Sequence, residues 1–189
     1  MNFVASRLAE ICSHFQASTD CQDFASTNDD AYVAYYNSMY LLQDSTESLL
    51  RHRERGFSSD PLLAYLEFWG VLQAAIIQQD SIAELHQVFF AEPFSPVKKG
   101  LQAWTEVREL RNTCAGHPAK KDRPNSLPLT RSFMGRGFGS YQTIVYERWR
   151  QGVGLDHPKV PLGALLDEYA REAELQLGSI LSAMRARWP

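Results

Sequence analysis

The chain has 189 residues with 44% hydrophobic and 22% charged side chains, values that suit one globular domain and exclude disordered, collagen-like and low-complexity classes. The formal charge is −3, so no global basic character points to nucleic acid, yet residues 105–136 carry seven basic and three acidic side chains while residues 1–104 carry six and thirteen. Any anionic ligand is therefore expected at the short basic stretch. Cys12, Cys21 and Cys114 are odd in number and form no CxxC pair, which argues against a disulfide framework and a structural zinc site. The opening MNFVASRLAEICSHF has no basic leader and is broken by Glu10 and His14, so no signal peptide is expected. No apolar run is expected to approach the roughly 18 residues of a membrane span. A cytoplasmic protein with no membrane partner is the expectation.

Residues 2–17 predict a first helix, with Phe3, Val4, Leu8, Ile11 and Phe15 at helical spacing. A loop rich in Ser, Thr, Asp and Asn follows. Asn28 or Asp29 can cap a second helix over 30–54, whose end is basic (Arg51, His52, Arg53, Arg55) and closed by Gly56. Ser59 or Asp60 before Pro61 is a helix start, because proline is preorganised for the first turn. The third helix is expected to run to about residue 90. Its middle is apolar on more than one face, the mark of a central helix.

Pro93 and Pro96 break the chain before a fourth helix over about 97–115, with Leu101, Trp104, Val107 and Leu110 inward and Gly116 as its stop. Three prolines (Pro118, Pro124, Pro128) keep 117–128 out of regular helix. Residues 129–149 change period. Tyr141, Thr143 and Val145 alternate with Gln142, Ile144 and Tyr146, and a β-hairpin is predicted there. Gly135-Arg-Gly-Phe-Gly139 lacks the strand-to-helix context and Lys-Ser/Thr ending of a phosphate loop and reads as a turn. Residues 160–187 predict a last helix. The fold class is mainly α: one domain over 1–189, a bundle of about five helices with a small β-hairpin insertion.

The segment WTEVRELRNTCAGHP (104–118) carries the chemistry. Arg111 and Asn112 end an amphipathic helix and His117 stands just beyond it. An unbroken helix would splay Arg111 from His117, whereas Gly116 lets the chain fold back. A permanent cation, an amide and a group titrating near neutrality suit phosphoryl chemistry. The structural alternative is that Arg111 pairs with Glu106 or another carboxylate and His117 merely closes the helix. No metal ligand set and no cofactor motif are visible. Tyr32, Tyr35, Tyr36, Phe68 and Trp69 lie at helical spacing and read as core or dimer interface.

The spacing Arg111-Asn112-x4-His117 resembles the Arg-x4-6-His signature of HEPN domains, in which a polar residue often follows the arginine. RELRNTCAGHP resembles a bacterial HEPN-like subgroup in which GHP precedes a β-hairpin, and the resemblance extends over roughly residues 30–187. It implies a helical bundle, a homodimer with both motifs in one cleft, and a metal-independent endoribonuclease, often a toxin or anti-phage effector. It further implies that Arg111 holds the scissile phosphate, His117 moves protons and Asn112 orients one of them, giving a 2′,3′-cyclic phosphate. Arg108, Lys120, Lys121, Arg123, Arg131 and Arg136 are the expected RNA contacts. An antitoxin or sensor protein is a possible partner. HEPN toxins paired with a nucleotidyltransferase often continue His-x-Tyr; here His117-Pro118-Ala119 departs from that pattern. The alternative is a non-catalytic HEPN module that binds RNA, a nucleotide or a partner protein.

Overall fold

The computed structural model describes residues 1–20, 23, 29–90, 92–116, 118 and 129–188. Helix α1 spans Asn2–Ala17 and buries Val4, Leu8, Ile11 and Phe15, one stripe at helical spacing. Helix α2 spans Asp29–Arg55 and ends in His52, Arg53 and Arg55, where cations meet the negative end of the helix dipole. Gly56, at φ +78°, then donates its N–H back to the His52 carbonyl at 2.8 Å.

Helix α3, Pro61–Phe90, starts where Asp60 caps it: the Asp60 carboxylate accepts from the amides of Leu62 (2.8 Å) and Leu63 (3.2 Å). It is the central element. It contacts α2, helix α4 (Gln102–Arg111) and helix α5 (Leu162–Arg187). Burial on several faces explains why its apolar residues do not keep to one side. Contrary to the expectation from the sequence, it is long and apolar enough to cross a membrane by length and composition, because its charged residues are few. Its buried Gln79 donates to the Trp104 carbonyl and accepts from Arg108 Nε. Its buried Gln78 donates to the Thr46 hydroxyl, while Gln78 Oε1 has no partner among the described residues, so most of this buried amide polarity is met inside the bundle. This is the pattern of a bundle's core helix and is compatible with a soluble protein.

The fourth helix begins later and ends earlier than the spacing predicts. Residues 96–101 form a turn in which Leu101 donates to the Pro96 carbonyl, and the helix proper ends at Arg111. It continues as a π-helical turn, Asn112–Gly116, instead of α-helix to residue 115. Trp104 is 1% exposed and stacks edge-on against Tyr169, which places it in the core as its spacing predicts.

The hairpin expected over 129–149 is part of a larger insertion that reaches Val160. Strand β1 (Thr130–Phe133) pairs antiparallel with β3 (Glu147–Arg150), Thr130 opposite Arg150, and β3 pairs with β4 (Gly154–Asp156). A separate ladder joins β2 (Ile144–Val145) to β5 (Lys159–Val160). The alternating run around Tyr141–Tyr146 therefore contributes only two strand residues. Its period serves burial, with Ile144 and Tyr146 inserted into the core, where Met134 and Phe138 from the preceding turn join them. Phe138 packs against Phe57, Phe68 and Tyr65 and anchors the insertion on the α2–α3 corner. The molecule is a mainly α fold with a small β insertion.

Candidate functional site

Arg111 is the last residue of α4, and its position follows from the change of helix type behind it. A π turn widens the backbone by one residue per turn and is common at functional sites. Here it carries the chain from α4 to Gly116 beneath the Arg111 side chain. A Cβ on Gly116 would lie 2.8 Å from Arg111 Nη1, so the guanidinium rests directly over this glycine. Arg111 Nε (3.3 Å) and Nη2 (3.1 Å) donate to Gln73 Oε1 on α3, and Nη1 donates to Asn112 Oδ1 at 3.3 Å. Arg111 and Asn112 thus meet as a unit, with Gln73 as a third member that the sequence reading did not include.

The turn is fastened from two sides. On one, Trp69 Nε1 donates to the Cys114 carbonyl at 3.1 Å. On the other, the Ser132 hydroxyl donates to the Thr113 carbonyl, and the Ser132 amide donates to the Pro118 carbonyl at 2.8 Å. Strand β1 is therefore bound to the chain on both sides of position 117. Cys114 is buried and its thiol is pushed up to about 12 by burial, so it stays protonated and unreactive.

The other expected residues divide. Arg108 faces α3, forms an ion pair with Asp80 and donates to Gln79 Oε1 at 2.9 Å, so its charge is met within the fold. Arg131 lies 5.3 Å over the ring of Trp149, its cross-strand neighbour, on the exposed surface of β1. Arg136 is exposed in the turn after β1. His117, Lys120, Lys121 and Arg123 lie outside the described residues.

Electrostatically, Arg111 differs from most of its kind. Arg7, Arg53, Arg55, Arg108, Arg148 and Arg150 each reach a carboxylate. Arg111 is held by two amide oxygens and has no carboxylate partner among the described residues. Neutral acceptors orient a guanidinium without cancelling its charge, leaving it able to bind an anion. No group of three or more His, Cys, Asp or Glu able to hold a metal occurs among the described residues. In comparisons with known families, characterised proteins and solved structures, nothing matches this chain.

Proposed function

We propose that the protein is a metal-independent endoribonuclease of HEPN type, a cytoplasmic homodimer whose partner is RNA and whose natural role is that of a toxin or anti-phage effector. The observation that carries this reading is Arg111 over Gly116, oriented by Gln73 and Asn112 and with no carboxylate partner among the described residues, in the motif that resembles the HEPN signature. In the reaction the ribose 2′-oxygen attacks phosphorus and loses its proton to a base, while the 5′-oxygen leaves and takes up a proton. Arg111 stabilises the charge on the phosphate oxygens, Asn112 holds Arg111 in place, and His117 moves the protons. Exposed Arg131 and Arg136 contact the RNA backbone, joined by Lys120, Lys121 and Arg123 of the same basic stretch of sequence. Arg108, already paired, is left out of these contacts.

The test is cleavage of single-stranded RNA by purified protein. EDTA should leave the rate unchanged, the ends should carry a 2′,3′-cyclic phosphate, and sedimentation should show a dimer. His117→Ala should lower the rate on the order of 10²–10⁴-fold with the fold intact. Arg111→Lys should recover only part of what Arg111→Ala loses, since lysine lacks the planar fork. A folded His117→Ala protein that cuts RNA at the wild-type rate would overturn the catalytic reading.

A further inference from the structure

On α3, three side chains at intervals of four form a ridge alongside the motif turn: Tyr65, Trp69 and Gln73. Residues spaced this way share one face, about 6 Å apart along the axis at 1.5 Å rise per residue. Gln73 holds the Arg111 guanidinium, and Trp69 donates to the Cys114 carbonyl of the turn that follows Arg111. The indole is therefore one helical turn from the cation. Tyr65 and Trp69 contact each other with ring centroids 4.6 Å apart at 50°. Both rings are half-buried, unlike the fully buried Phe68 beside them. Next to Trp69 stands Gly70, exposed, with nothing within 4 Å of where its Cβ would be. A glycine in mid-helix weakens the helix, and here it leaves its own position on the exposed surface open.

We propose that Tyr65 and Trp69 are a stacking platform for a nucleobase of single-stranded RNA, set one helical turn from the phosphate that Arg111 binds. The inference rests on the ribonuclease reading and adds the form of the substrate. Aromatic rings hold any unpaired base by its face and cannot reach bases stacked inside a duplex. The rings are partly open, the cation is neighbouring, and a single hydrogen bond fixes the indole relative to the turn. The site thus selects unpaired loops and ends, with no strong preference for base identity.

The experiment compares Trp69→Phe with Trp69→Leu. Both lose the bond to the Cys114 carbonyl, and only the first keeps an aromatic face. Binding is measured with a short single-stranded oligoribonucleotide carrying one 2′-deoxy residue at the cut linkage, and cleavage with its all-ribose form. Trp69→Leu should weaken binding about 5- to 150-fold, the usual weight of one base–aromatic stack, and Trp69→Phe should recover most of it. Abasic substitution scanned along the oligonucleotide should find one position at which wild-type and Trp69→Leu bind alike. Tyr65→Leu should behave as Trp69→Leu and serves where the Trp69 variants do not fold. Equal loss in the Phe and Leu variants, with no such abasic position, would overturn the platform while leaving the nuclease intact. The expected pattern with RNA bound but uncut supports the platform and removes the nuclease reading alone. A wild-type protein that neither binds nor cuts RNA removes both.

Discussion

Gly116 shows how one residue can tune the site without supporting the fold. Its Cβ would meet only the far end of the Arg111 side chain, 2.8 Å from Nη1, with no other group within 3.4 Å. That side chain can swing away at little cost, but it then leaves its place between Gln73 and Asn112. Gly116→Ala should therefore lower RNA cleavage at least tenfold while shifting stability by less than about 1 kcal/mol, the scale of a helical Gly-to-Ala change. Parallel melting curves and single-turnover rates check both halves. An alanine variant with full activity would mean that the position of the guanidinium over this residue is irrelevant. Gly139 is the contrasting case: at φ +118° a Cβ would lie 2.1 Å from the Thr143 carbonyl oxygen, so that glycine is required by the backbone itself.

Helix α4 depends for its start on another helix. Its N-terminal flank, Leu101, offers no capping side chain. The orphan amides of Ala103 and Trp104 instead donate to the two carboxylate oxygens of Glu172 on α5, at 3.0 and 2.7 Å. A carboxylate there satisfies donors that would otherwise be unpaired and complements the helix dipole. Glu172→Ala should destabilise the protein by about 1–2 kcal/mol, the weight of a lost N-cap, and Glu172→Gln by less. Denaturant unfolding measures it, and unchanged midpoints for both variants would show that the cap is redundant. Since α4 carries Arg111 at its other end, the alanine variant should also loosen the site.

At the scale of the molecule, two half-buried to buried imidazoles make stability depend on pH. His52 joins α2 to the insertion through Tyr141, 2.7 Å from its Nδ1, and faces Glu67 of α3 at 3.5 Å and Arg55. The Tyr141 phenol is pushed up to about 12 by burial and stays protonated. Desolvation, the largest influence, holds His52 below its ordinary 6.5 despite Glu67; Arg55 acts in the same direction as burial. His86 is lowered first by desolvation and then by Lys99. Below 6.5 the unfolded chain binds these protons more readily than the fold does. Their contribution is therefore complete above 6.5 and is lost as pH falls from there through the folded values. The lowered carboxylates Glu67, Asp156 and Asp167 act at more acid pH, below ordinary values of 4.5 and 3.8. Melting temperature should fall between pH 6.5 and 5, and His52→Gln with His86→Gln should flatten that slope. A slope unaltered in the double variant would locate the effect elsewhere.

What the amino-acid order determined by itself was local. Asp60-Pro61 starts α3, Gly56 stops α2, and the three- and four-residue spacing of Val4, Leu8, Ile11 and Phe15 marks the buried stripe of α1, because each signal acts within a turn or two of helix. The multi-sided hydrophobicity of α3 announced a central helix for the same reason. Arg111 and Asn112 were legible as neighbours, and Trp104 as core. The tertiary structure decided what no local signal encodes. Gln73 meets Arg111 across 38 residues and Glu172 caps α4 across 69, contacts that exist only once α3 and α5 pack around α4. The same packing decided that α4 ends in a π turn under Trp69 and Ser132, and that β1 pairs with Glu147–Arg150 instead of the alternating run before it. Alternation records which side chains are buried, and strand pairing is settled by which edges the assembled core brings together.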